Sequence, residues 1–140
     1  MKKKRPKKKK RAGKPYKTRA RNLKRMGFTS YREYLESELW AGIRQRVFTR
    51  DNHECLMCGR EATQVHHKRY NMDTMKGVTI DHLVSSCGGC HYRVEFKNGK
   101  RRARIYNVNA ATESRIDNHE RTSALHDELD RQMAAAIAAD

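Results

Sequence analysis

Residues 55–58 read CLMC and residues 87–90 read CGGC, two Cys-x-x-Cys pairs separated by 28 residues. Each pair can offer two thiolates from one tight turn, and four thiolates complete the tetrahedral shell that zinc prefers. A redox reading of Cys55 and Cys58 leaves the second pair unexplained, and an all-cysteine shell leaves no open position for a substrate. Structural zinc held by Cys55, Cys58, Cys87 and Cys90 is therefore the expectation, with a folding role rather than a chemical one. Gly59 behind the first pair, and Gly88 and Gly89 within the second, suit the close turns that sulfur ligation needs.

Composition explains why such a staple is needed. In 140 residues, hydrophobic side chains make up 36% and charged ones 34%, so one compact domain with a small core is expected. Structural zinc contributes on the order of 10 kcal/mol to folding in such cases. The formal charge of +16 is unevenly spread: residues 1–25 hold 15 Lys and Arg and no acid, while the rest is close to neutral. Clustered cations of this kind gain affinity for a phosphate backbone by releasing its counterions, which makes nucleic acid the expected partner. The arm lacks the interleaved Leu, Phe or Trp of a membrane-surface helix, no window of about 18 apolar residues exists, and no apolar segment follows the basic start as in a signal peptide. An intracellular location is expected, and in such a reducing compartment close cysteine pairs argue for metal over disulfides.

Three regions follow. Residues 1–27 form a basic arm with too few apolar side chains to order by itself, residues 28–100 form the stapled domain, and residues 101–140 form a helical tail. Ser30 and Glu33 form an S-x-x-E helix start, followed by Tyr31, Tyr34, Leu35, Leu39, Trp40, Ile43 and Val47 at helical spacing, with Ser37 and Gly42 as points of division. Thr63 to His67 reads as a strand, Lys68 to Gly77 as a loop, Val78 to Ile80 as a second short strand, and Gly89 to Phe96 as a helix stopped by Asn98-Gly99. In the tail, Leu125, Leu129, Met133 and Ile137 recur every fourth residue, an amphipathic stripe for packing on the body or for self-association.

Four of the seven histidines lie inside the cysteine module: His66 and His67 in Val65-His66-His67, His82 in Asp81-His82-Leu83, and His91 directly after Cys90. Together with W-x-x-I-R-x-x-V-x-x-R-D from Trp40 to Asp51, these motifs make residues 39–95 resemble the HNH endonucleases that carry a zinc staple. The resemblance implies an α+β fold, a ββα-metal core in which a hairpin and a helix pinch one catalytic divalent ion. It implies a metal-dependent phosphodiester hydrolase in which His67 is the general base and His66 and His91 are ligands of the catalytic metal. A free imidazole with a pKa of about 6.5 suits proton transfer at neutral pH, whereas a coordinated nitrogen is unavailable for it.

Two positions depart from the family's pattern. His82 stands where Asn is frequent, and Glu95 stands four residues after His91 where many relatives have a further His. An imidazole at 82 can still bind metal or hold the hairpin loop, and a carboxylate at i+4 faces the same side of a helix as His91. An imidazole-rich site favours Mn²⁺, Ni²⁺ or Zn²⁺ by affinity, and Mg²⁺ by availability. The expected substrate is double-stranded DNA, and the resemblance implies a role in a bacteriophage or mobile element inside the bacterial cytoplasm; a nuclear address would suit the lysine-rich start equally. The alternative is a non-catalytic, zinc-stapled DNA- or RNA-binding module, and a third reading is a protein-interaction module using the tail.

Overall fold

The computed structural model describes residues 15–102 and 105–139, which form a small α+β protein with six helices and two small antiparallel sheets among those residues. The expected disorder of residues 1–27 falls outside the described residues as far as residue 14. From Pro15 to Arg25, however, the chain forms a helix, α1, where no structure was expected. Charge density is offset there by an inner face. Leu23 is buried in the main apolar cluster, Asn22 donates to the Tyr70 carbonyl at 2.8 Å, and the Arg19 guanidinium lies 4.0 Å from the Tyr31 ring centroid.

Ser30 caps α2 (Tyr31–Leu35), accepting from the Glu33 N–H at 3.1 Å, while the Glu33 carboxylate accepts from the Thr29 N–H. Ser37 then caps α3 (Glu38–Arg50), so the helical stripe divides at Ser37, and Gly42 lies inside α3 without interrupting it. The stripe turns Tyr34, Trp40, Ile43 and Val47 inward, where they meet Leu23, Met75 and Leu83 in the first apolar cluster. A second cluster joins Cys55, Met57 and Cys90 to Val94 and Val108.

β1 (Gln64–His67) pairs antiparallel with β2 (Leu83–Ser86), Gln64 opposite Ser86 and His67 opposite Leu83. Between them the expected loop contains a short helix, α4 (Met72–Lys76), capped by Asn71. The second strand thus lies at 83–86 rather than at Val78 to Ile80. Val78 is 70% exposed and its N–H bonds back to Asp73, so it belongs to the turn after α4. All four residues of β2 are buried, including two serines that look unsuited to a core. Their hydroxyls are partnered: Ser85 Oγ donates to the Val47 carbonyl and Ser86 Oγ to that of Gln64, both at 3.4 Å.

Cys87 caps α5 (Gly88–Glu95). Phe96 then opens β3 (Phe96–Lys97), which pairs with β4 (Lys100–Arg101) about Asn98-Gly99, with φ of 51° and 71°. Two consecutive left-handed residues make the tightest hairpin turn, so Asn98-Gly99 builds a hairpin as well as ending the helix. α6 (Ile105–Ala138) packs on α5 through buried Val108. Further along, Leu125, Leu129, Met133 and Ile137 are 47 to 75% exposed, so the body does not cover the stripe.

One ion pair fastens α3 to the hairpin. The Arg50 guanidinium forks onto the adjacent Asp51 carboxylate at 2.7 and 2.8 Å and also donates to the carbonyls of Ile80 and Leu83. Asp51 in turn accepts the Ser85 N–H at 3.1 Å in the middle of β2. Burial pushes the Asp51 carboxyl up, but the bonds from Arg50 and Ser85 outweigh it and hold the group below its usual value. A depressed carboxylate contributes stability above its unfolded pKa and loses it as pH falls through the folded value. Asp51→Ala is expected to cost about 2–3 kcal/mol at pH 7 in urea unfolding. The gap from wild type should narrow as pH is lowered through the carboxylate range.

Candidate metal centre and cleft

The first cysteine pair sits in a knuckle. The Cys55 N–H donates to the Arg60 carbonyl at 2.7 Å, and the N–H groups of Cys58 and Gly59 turn back onto the Cys55 carbonyl. Gly59 has φ of 76°, a left-handed turn that favours glycine, and a Cβ there would come within 2.9 Å of the His119 ring on α6, which would have to move aside. The knuckle is tied to β2 by Leu56 N–H donating to Ser85. Opposite it, the Cys90 N–H donates to the Cys87 sulfur at 3.4 Å, which places a sulfur at the start of α5.

These elements bring Cys55, Cys58, Cys87 and Cys90 together, with all four sulfurs within 4.8 Å of one another. Cys58 and Cys87 are 3.6 Å apart. That is far beyond a disulfide bond and close to the ~3.8 Å edge of a tetrahedron with zinc–sulfur bonds of about 2.3 Å. The donor set therefore fits a metal ion, consistent with structural zinc. Burial pushes the Cys55 and Cys90 thiols up; burial also opposes ionisation of Cys87, yet the Cys90 N–H and the neighbouring sulfurs bring it down to about 7. A low value at a helix start is what prepares a thiol for ligation.

A second group lies beside the first along α5. His66 from β1 meets His91 and Glu95, one turn apart on α5, with a ligand atom from each within 4.8 Å of the others. His66 Nδ1 is 3.8 Å from Glu95 Oε1, and the His66 and His91 rings meet edge to face at 5.3 Å. His66 is 2% exposed, and its Nε2 is buried with no hydrogen-bond partner. A buried imidazole grouped with a second imidazole and a carboxylate, with one carboxylate oxygen of Glu95 also buried and unpartnered, is a donor set that fits a divalent ion. Burial lowers the His66 pKa to about 4, with His91 and Lys68 adding to the shift; burial likewise lowers His91, which Glu95 partly counters.

His67 faces away from its neighbour, as strand alternation requires. Its ring is stacked between Trp40 at 4.8 Å and Tyr70 at 4.9 Å, is 4% exposed, and leaves Nε2 without a partner. Burial, helped by His66 and Arg19, lowers its pKa to about 3. The ordinary value near 6.5 assumed from sequence is thus displaced by the aromatic cage. His82 is placed elsewhere: it sits in the turn before β2, where its carbonyl accepts the Lys68 N–H at 2.8 Å, and it lies outside both groups.

His66, His67, His91 and Glu95 all line one cleft of about 750 Å³, which also takes in Arg19, Arg44 and Arg101. The chain matches no protein-family model, curated protein or solved structure. The site is therefore read from its own residues. Glu95, a departure from the family pattern, thus joins the site, and so do Trp40 and Tyr70, which no site motif in the sequence includes. The i+4 spacing from His91 was the available signal for Glu95, whereas only the fold brings Tyr70 beside His67.

Proposed function

We propose that the protein is a metal-dependent endonuclease of the HNH type, a ββα-metal enzyme that hydrolyses phosphodiester bonds in DNA. The observation that carries this reading is the convergence of His66, His91 and Glu95 in one arginine-lined cleft that the ring of His67 also lines. The order of the elements agrees with it, since β1, β2 and α5 form a hairpin followed by a helix that supply these groups.

A divalent ion held by His66, His91 and Glu95 would supply Lewis-acid stabilisation of the phosphate and the departing oxygen. His67 would accept the proton of the attacking water at Nε2, a role that requires its pKa, held at about 3 by burial, to rise when the cleft is filled, with Trp40 and Tyr70 fixing the plane of its ring. Water adds to phosphorus, the bond to the 3′ oxygen breaks, and that oxygen takes a proton from solvent, so that the products are a 5′ phosphate and a 3′ hydroxyl. Arg19, Arg44 and Arg101 would hold the flanking phosphates. The cysteine zinc site would set the start of α5, and with it the positions of His91 and Glu95.

The enclosure of His67 is the observation that favours a second reading, a zinc-stapled nucleic-acid-binding module in which the histidines only pack. The two are separated with zinc-loaded protein and supercoiled plasmid, in Mg²⁺, Mn²⁺, Ni²⁺ or no added metal. Metal-dependent nicking should fall by about 10²–10⁴-fold in a folded His67→Gln variant. Absence of nicking under every metal, with DNA binding intact, would select the binding module.

A further inference from the structure

α5 carries two rows of side chains at i, i+4 spacing, one residue out of phase. The first is His91 and Glu95; the second starts at Tyr92 and is completed by Phe96, the extended residue that opens β3, and the two rings stack at 4.6 Å and 13°. Neither ring belongs to an apolar cluster of the core, and Tyr92 is 54% exposed. Phe96 is half-buried, so the pair presents Tyr92 to water from a fixed base beside the ligand cluster, with no core contact to account for the exposed ring.

The surroundings sharpen the chemistry. Six of the ten aromatic residues in the sequence line this cleft: Tyr16, Tyr31, Trp40, Tyr70, Tyr92 and Phe96. Glu95 is the one acid among the described residues of its wall. The Arg101 guanidinium lies 5.2 Å from the Phe96 ring centroid, 3.6 Å from the Glu95 carboxylate and 3.4 Å from the Tyr16 hydroxyl. Cations for the backbone beside flat rings for the bases are the combination that holds single strands, because every unstacked base has a face to offer. Bases within a duplex have both faces covered by their neighbours and gain nothing from such a platform.

We propose that the Tyr92–Phe96 pair is a stacking platform for an unpaired base next to the phosphate held at the His66–His91–Glu95 cluster, so that the substrate is single-stranded nucleic acid or the unpaired side of a junction. As a statement about substrate class this rests on the nuclease reading, and it departs from the double-stranded DNA expected from sequence. The platform itself is a binding feature and can be tested separately.

The test uses one DNA sequence as a labelled single strand, as a duplex and as a duplex with an unpaired flap, on zinc-loaded protein. Wild type should cut the single strand and the flap at least about tenfold faster than the duplex, and Tyr92→Leu should reduce that ratio about tenfold. Tyr92→Phe, which keeps the ring, should retain the ratio. Fluorescence anisotropy without added divalent ion should show the same order in binding. Equal handling of paired and unpaired DNA, or a ratio unmoved by Tyr92→Leu, would overturn the platform. No cutting of any substrate alongside selective, Tyr92-dependent binding of the single strand would overturn the nuclease reading and keep the platform.

Discussion

Cys90→Ser is expected to leave the domain without its native fold at 25 °C, seen as loss of one bound zinc per chain and of a cooperative thermal transition. Structural zinc contributes on the order of 10 kcal/mol, whereas a whole domain retains only about 5–15 kcal/mol of net stability. The substitution also removes a core residue, because Cys55 and Cys90 are themselves part of the second apolar cluster beside Met57, Val94 and Val108. Without metal, Cys55 and Cys90 would stay protonated, and sulfurs gathered within 4.8 Å would have no ion to bridge the two pairs. The loss should spread, since Leu56 and Thr63 of the knuckle region bond to Ser85 and Ser86 of β2, and Leu83 of the same strand lies in the first cluster with Trp40. Trp40 fluorescence reports that spread from the far side of the hairpin. A Cys90→Ser chain that melts cooperatively without zinc would refute the staple.

The second large effect is expected from His66. His66→Leu should reduce metal-dependent cleavage by at least about a thousandfold, while the metal-free stability stays level or rises. The first half follows from the place of His66 in the ligand cluster and the second from its burial. His66 Nε2 is buried with no partner, and an unsatisfied buried polar atom costs about 1–3 kcal/mol, which a leucine of similar bulk does not incur. Wild type should also gain thermal stability when Mn²⁺ or Ni²⁺ is added, and the variant should not, because a ligand that binds only the native state stabilises it. A histidine kept for packing would behave in the opposite way, with stability lost and no metal-induced shift to remove. The contrast makes melting curves as informative as the cleavage gel.

How far sequence could take the fold depended on whether each residue's own chemistry decided its place. Cys55, Cys58, Cys87 and Cys90 have one efficient use at that spacing, and Ser30 with Glu33 closes a helix start locally, so both were legible. β2 was not. Ser85 and Ser86 look solvent-facing, and only bonds to Val47, Asp51 and Gln64, distant in the chain, make their burial tolerable. α1 was hidden for a similar reason, since its charge density outweighs Leu23 and Asn22 until a partner surface exists to receive them. In the site, the helix period brings Glu95 under His91, but the turn that sends His82 elsewhere depends on α4, which the sequence reading took for loop.

α5 begins at a sulfur of one cluster and ends at a carboxylate of the other within nine residues, Cys87 to Glu95. One residue inserted between Cys90 and His91 would turn everything after it by about 100° and carry His91 and Glu95 off the cleft wall, while both cysteines kept their places. The exposed Asn98-Gly99 turn and the far half of α6 carry no such constraint. Evolution can therefore lengthen or trim this protein at its edges, but in α5 it can only exchange one side chain for another, and the helix acts as a ruler with fixed marks.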